Sequence, residues 1–160
     1  MSEAQQRPAA GLFNNSLLSD VKIKRVSSDG KIREYHAHKA VLSSDSRYFH
    51  KAFTGNFREA TEAEMTIHDD DPDHFEFFLK FIYTHAYDTA KITELANGDP
   101  IQRVTIPCEI LALADKYNMP LLIGPIANDI EKLLADKTSK TLDLLKALIP
   151  VYYKGVQSVV

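Results

Sequence analysis

The sequence has a single cysteine, Cys108, so no internal disulfide can form. Its first eleven residues, MSEAQQRPAAG, lack both the basic start and the apolar stretch of a secretory signal. These two absences point to a reducing compartment inside the cell, cytoplasmic, nuclear or both. No apolar run approaches the roughly 20 residues that a membrane span requires, so no membrane partner is expected. An excess of positive charge is missing as well: 19 Lys and Arg face 22 Asp and Glu, leaving a net charge of −3. No global field exists to hold a phosphate backbone, and nucleic acid is not an expected partner. Internal repeats and low-complexity segments are also absent. What remains is 160 residues, 44% of them hydrophobic, enough for one ordinary core and one domain.

Residues 1–11 read as a flexible N-terminal tail, and Leu12, Phe13, Leu17 and Leu18 supply the first apolar anchors. Val21 and Ile23 alternate with polar residues, Ser27-Ser28-Asp29-Gly30 makes a turn, and Ile32 to Ala37 reads as a second strand, giving a hairpin. Val41 and Leu42 then sit in a short helical stretch. Ser44 or Asp45 can cap a second helix carrying Tyr48, Phe49, Ala52 and Phe53 at helical spacing, with Gly55 ending it. Met65 and Ile67 alternate with Glu64, Thr66 and His68 in a short strand.

The clearest helix follows. Pro72 fits its first turn, Asp73 and Glu76 have capping-box spacing, and Phe75, Phe78, Leu79, Ile82 and Tyr83 form one stripe. That stripe reads as core rather than as a stacking platform for nucleotides, given its helical spacing and acidic neighbours. Ala86 to Thr105 lacks sustained periodicity and contains Asn97-Gly98-Asp99-Pro100, so a long loop is expected, with a short strand at Val104 to Ile106. Pro107 is expected to open a helix with Ile110, Leu111, Ala114 and Tyr117 inward. Leu122, Ile126, Ile130, Leu133 and Leu134 form the next stripe, where Pro125 clashes unless the helix starts later or bends. Thr141 to Ile149 looks helical, and the chain then stops at Val160 without an obvious closing element, as a fragment of something longer would. The expected fold class is α+β with helices outweighing the sheet.

Chemistry-bearing constellations are sparse. Ser43, Ser44 and Ser46 follow a helix without a glycine elbow, and Cys108 has no neighbour in sequence that lowers its pKa, so no catalysis and no cofactor are expected. His36-x-His38 places two imidazoles on one face of a strand, and His50 and Cys108 complete a conceivable zinc set, but no pair has compact ligand spacing. The plain reading, a packed histidine and no metal, is preferred.

Several segments, taken in order, resemble the BTB (POZ) domain: Leu18-Ser19-Asp20-Val21-Lys22-Ile23, Tyr35-His36-Ala37-His38-Lys39-Ala40-Val41-Leu42, Ser46-Arg47-Tyr48-Phe49, Phe53-Thr54-Gly55-Asn56-Phe57-Arg58-Glu59, Phe81-Ile82-Tyr83-Thr84, and Leu113 to Leu121. The resemblance implies a BTB/POZ fold over 12–136, a cluster of short helices flanked by a small mixed β-sheet, followed by a C-terminal helical extension over 137–160. The segment between Tyr87 and Thr105 and the Val151-Tyr152-Tyr153 ending look like BTB proteins of filamentous fungi. Functionally, the resemblance implies a protein-interaction module: an adaptor that self-associates and presents a client to a cullin-based ubiquitin ligase. The alternative is a homo- or hetero-oligomerisation domain of a transcriptional or scaffold protein without cullin contact.

Phe57-Arg58-Glu59 looks like the hydrophobic-x-Glu motif through which BTB domains bind a cullin N-terminal domain. An exposed aromatic in a partner's pocket supplies about 1.5–3 kcal/mol of apolar burial, and the carboxylate beside it accepts a charge-assisted hydrogen bond. The plain alternative is that Phe57 caps the local core and Glu59 is solvated. Full cullin engagement in the family also uses helices beyond the BTB core, for which only Thr141 to Val160 remain. A homodimer is implied through the N-terminal region, with Leu12, Phe13, Leu17, Leu18 and Val21 as candidates. Asp20 and Lys39 match positions that form a charged pair beneath the dimer surface in BTB transcription factors, or are simply solvated charges.

Overall fold

The computed structural model describes residues 8–135. A 3₁₀ turn, Pro8–Leu12, precedes strands β1 (Val21–Val26) and β2 (Ile32–Ala37), followed by helices α1 (Lys39–Asp45), α2 (Arg47–Thr54) and the one-turn α3 (Arg58–Thr61). Strand β3 (Glu64–His68) leads into α4 (Pro72–Thr84), α5 (Thr89–Ala96), α6 (Gln102–Lys116), a second 3₁₀ turn at Pro120–Leu122, and α7 (Ile123–Ala135). This is the expected α+β architecture of short helices and a small mixed sheet. The extension expected over 137–160, with its helix at Thr141 to Ile149, lies outside the described residues, as does most of the expected tail. The chain divides into two compact units: one holds the chain up to Ala86 together with Lys116–Met119, the other Tyr87–Asp115 and the chain from Pro120.

In the first unit the sheet order is β2-β1-β3. β1 pairs antiparallel with β2, Val21 opposite Ala37 and Val26 opposite Ile32, and parallel with β3, Lys22 opposite Glu64. Alternation decides the faces: Val21, Ile23, Met65 and Ile67 are buried, whereas Glu64, Thr66 and His68 are exposed. The hairpin closes where Gly30 N–H donates to the Ser27 carbonyl at 2.9 Å, with Gly30 at φ +80°, a backbone that glycine adopts without a Cβ penalty.

α4 carries the expected stripe, but Phe77 and Phe81 are buried too, so the helix is enclosed on most of its circumference. Its cap differs from the expected Asp73–Glu76 box. Asp71 is the N-cap and accepts from the Asp73 and His74 N–H groups at 2.9 and 3.0 Å, while Glu76 accepts from Arg33 Nη1 (3.1 Å) and Tyr35 Oη (2.9 Å). The cap of α2 is likewise Ser46 rather than Ser44 or Asp45: its Oγ accepts from Phe49 N–H and donates to the Tyr117 carbonyl at 2.6 Å. The Tyr117 ring stacks on Phe49 (centroids 5.5 Å apart, 10° between planes) and meets Phe75 and Phe78 at 5.9 and 5.0 Å. Its hydroxyl donates to buried Asp70, whose carboxylate also takes Lys116 Nζ at 2.7 Å. Burial first, then Asp70, pushes the Tyr117 phenol well above its ordinary range.

The second unit corrects the expected long loop. α5 fills Thr89–Ala96, capped by Asp88 accepting from Lys91 N–H at 2.9 Å and ending at Asn97 with φ +48°. It was hidden because its buried residues, Ile92 and Ala96, span a single turn. Val104 to Ile106 is helix, not strand. β-Branched Val104, Thr105 and Ile106 have strand propensity, but all three are buried within α6, and packing overrides it. Pro107 therefore lies inside α6 rather than opening it, and its missing N–H deprives the Arg103 carbonyl of its intrahelical donor. Pro125 falls in the first turn of α7, where the residue four back, Leu121, precedes the helix, so no clash arises.

Candidate protein-docking surface

The Phe57 turn is built by its neighbours. α2 ends at Gly55, where a Cβ would lie 2.7 Å from the Lys51 carbonyl oxygen and 3.0 Å from the Phe57 ring. Only glycine lets the chain turn there with the ring folded back beside it. Phe57 then serves as N-cap of α3 without a side-chain cap bond, its backbone extended (φ −92°, ψ 158°) and the residue 62% exposed. The reading in which Phe57 caps the local core is therefore wrong for this chain. Arg58 points outward and pairs with Glu62 one turn on, Nε to Oε1 3.0 Å, which raises its pKa through the hydrogen bond and then the charge. Glu59 lies half-buried in the first turn. Its charge helps raise the phenol pKa of exposed Tyr48, after burial as the main cause.

Sequence reasoning gave Lys39 no role in this turn. Its Nζ donates to the carbonyls of Glu59 (3.0 Å), Ala60 (3.1 Å) and Glu62 (2.9 Å) and lies 5.4 Å from the Phe53 ring centre. Asp20 instead accepts from the Lys39 backbone N–H at 2.8 Å. The two residues meet, but through the backbone and not as a charge pair.

The N-terminal candidates divide. Val21, 2% exposed, belongs to the core, because the β1 alternation turns it inward. Leu12 and Phe13 are half-buried, Phe13 edge-on to Tyr83 with centroids 5.9 Å apart. Leu17 and Leu18 are 61% and 78% exposed, and Leu18 holds φ +58°, an uncommon backbone for a bulky residue. The turn is pinned: Asn15 Oδ1 accepts from Leu17 N–H at 2.9 Å, Asn14 Oδ1 from His36 N–H at 2.9 Å, and the Leu17 carbonyl lies 2.6 Å from His38 Nε2.

His38 is accordingly a packed histidine, with Nδ1 3.0 Å from the Tyr83 hydroxyl. Burial pushes the Tyr83 phenol up to about 12. β2 ends at Ala37, so His36 and His38 do not share a strand face; His36 is exposed and His38 buried. Among the described residues no group of three His, Cys, Asp or Glu side chains gathers to hold a metal ion. Burial, and then Glu109, raises the pKa of the Cys108 thiol, the wrong direction for a nucleophile.

A second constellation that sequence reasoning missed lies in the other unit. Arg103 clamps Asp129 with Nη1 and Nη2 at 3.0 and 2.9 Å, Tyr87 Oη donates to the same carboxylate at 2.9 Å, and a cavity of about 520 Å³ opens beside them, lined also by Pro125, Lys132 and Leu133. A sequence signal existed: Asp129 lies three residues after buried Ile126, on the apolar face of α7.

The BTB/POZ domain family model matches residues 10–133. The chain belongs to the BTB/POZ family. A BTB domain is a protein–protein interaction module. This BTB chain is 33% identical over 133 residues to the human BTB/POZ domain-containing protein 3, covering 83% of the chain and 23% of that relative. To human BTB/POZ domain-containing protein 6 it is 32% identical over 131 residues, 82% and 22% of the respective lengths. A shorter stretch of 52 residues is 42% identical to mouse Kelch-like protein 17, covering 32% of the chain and 8% of the relative. The BTB chain thus spans less than a quarter of the length of these relatives. The BTB domain of zebrafish PATZ1 superposes with a TM-score of 0.50 at 22% identity, covering 71% of this chain and 76% of that one, a likeness in fold alone. A particular likeness to fungal members is not shown: these relatives by sequence are human and mouse proteins.

Proposed function

We propose that this BTB domain is an adaptor that docks the N-terminal domain of a cullin through the Phe57 turn and presents a client to the ligase so recruited. The observation that carries the reading is the exposure of Phe57 on a turn whose backbone is fixed from both ends, by Gly55 before it and by Lys39 after it. The ring rests one side against Gly55 and offers the rest to water, and an aromatic presented in this way is the type of residue that dominates docking energies once a partner covers it. Glu59 adds a carboxylate that fixes register by accepting a charge-assisted hydrogen bond. Calorimetric titration of the chain with a cullin N-terminal domain tests this. Micromolar or tighter binding, weakened at least tenfold (about 1.4 kcal/mol) by Phe57→Ala and less by Glu59→Ala, supports the reading. Binding indifferent to Phe57, or none from a folded chain, refutes it.

The Leu17-Leu18 turn favours a second activity, self-association into a homodimer. Two leucines held outward, one of them at positive φ, form an apolar step for a second copy to cover. Sedimentation should find a dimer that Leu18→Glu dissociates. A monomeric wild type at high concentration rules it out.

A further inference from the structure

We propose that Lys39 is the positioning residue of the docking turn, the group that sets the geometry in which Phe57 and Glu59 meet a partner; the inference rests on the reading of α3 as the docking element. α3 is four residues long, far below the length at which a helix holds itself. Its N-cap, Phe57, contributes no side-chain bond, and the turn's own bonds are few: Ala60 N–H to the Phe57 carbonyl (3.1 Å), Glu62 N–H and Thr61 Oγ1 to the Arg58 carbonyl (3.0 and 3.2 Å), and the exposed Arg58–Glu62 pair. What closes the far end is the Lys39 ammonium. All three of its N–H groups have a carbonyl within reach, those of Glu59, Ala60 and Glu62, at the end of the turn where carbonyls have no intrahelical donor.

Lys39 is itself firmly placed. Its backbone N–H is held by Asp20 Oδ1 at 2.8 Å at the start of α1, and its Nζ lies over the Phe53 ring of α2. One residue therefore couples four parts of the fold: its backbone N–H ties the entry to β1 to the first turn of α1, and its side chain ties the end of α2 to the docking turn. A guanidinium cannot replace it, because a planar fork does not converge three donors on three carbonyls around one point. Without the ammonium three carbonyls lose a donor, the turn spends most of its time open, and a partner requiring the closed form binds more weakly by the fraction remaining closed.

The test uses the whole chain with Lys39→Met, which keeps the stem, and Lys39→Arg, which keeps stem and charge and serves if the first variant folds poorly. Amide hydrogen exchange of Ala60 and Glu62 should quicken by about tenfold or more in both variants while α4 keeps its protection. The dissociation constant for a cullin N-terminal domain should rise about tenfold, and that increase should vanish when Lys39→Met is combined with Phe57→Ala. Unchanged exchange at Ala60 and Glu62 overturns the proposal, as does a binding loss that adds in full to that of Phe57→Ala. If the wild type binds no cullin domain, the docking reading fails while the exchange measurement still decides whether Lys39 holds the turn.

Discussion

Replacing Tyr117 by Phe isolates one hydrogen bond at the centre of the first unit. The ring, stacked on Phe49 and tilted against Phe78, is retained, and only the hydroxyl that donates to Asp70 is lost. Asp70 keeps Lys116 at 2.7 Å, so its carboxylate is not abandoned. A hydrogen bond to a charged acceptor is worth about 1.5–3 kcal/mol, and with Lys116 half exposed the lower part of that range applies, about 2 kcal/mol. Tyr117→Ala removes the ring too and should cost about 5 kcal/mol, since large aromatic truncations leave cavities worth about 3–5 kcal/mol by themselves. In a chain of this length a loss of about 2 kcal/mol lowers Tm by roughly 4–8 °C. Thermal and urea unfolding of the three proteins measure both numbers. The reasoning is refuted if Tyr117→Phe is as stable as the wild type, or if it is as damaging as Tyr117→Ala, for then hydroxyl and ring are not separable contributions.

The phenols of Tyr35, Tyr83 and Tyr117 are held above their ordinary value of 10.0, burial being the first cause in each, with Tyr83 at about 12. Because the folded values exceed the unfolded ones, this stabilisation is complete below pH 10 and is lost as pH rises toward and beyond 12; a tyrosinate titration should show late ionisation coincident with loss of circular dichroism, and full ionisation near pH 10 with the fold intact contradicts it. Arg103→Ala strands the buried Asp129 carboxylate and should cost about 3 kcal/mol in urea unfolding, whereas the double change with Asp129→Ala should cost less than the sum of the single ones. Strict additivity would show that the clamp is not a unit. Gly55→Ala drives a Cβ against the Lys51 carbonyl, which cannot move without α2, and should destabilise the chain by about 1–3 kcal/mol in the same assay.

The parts of the fold legible in the sequence are those where one periodicity dominates. β3 alternates cleanly because one face is buried, β1 does so over Val21 and Ile23 before buried Arg25 interrupts it, β2 only over Tyr35 and Ala37 with Ile32 exposed, and α4 shows its stripe because it carries Phe75, Phe78 and Ile82 at helical spacing. The stretch from Ala86 to Thr105 failed on the same ground: α5 is too short to repeat its stripe, and Val104-Thr105-Ile106 carries strand propensity inside a helix. Caps were misplaced by one or two residues, Ser46 for Ser44 or Asp45 and Asp71 for Asp73, since any nearby hydroxyl or carboxylate fits the pattern and only backbone geometry chooses. At the candidate site, Phe57-Arg58-Glu59 is legible through family resemblance, but its exposure is not, whereas the Val21–Ile23 alternation already points Val21 inward, against its place among the dimer candidates. Lys39 left no trace because its acceptors are backbone carbonyls some twenty residues away, which any sequence supplies.

The central claim is that a protein partner covers the Phe57 turn of this BTB domain. Hydrogen exchange of the chain alone and with a saturating cullin N-terminal domain maps that cover directly. Slowed exchange confined to the segment around Phe57 to Glu62, with α5 unchanged, is the predicted result. A bound complex that leaves this segment exchanging as in the free chain contradicts the account.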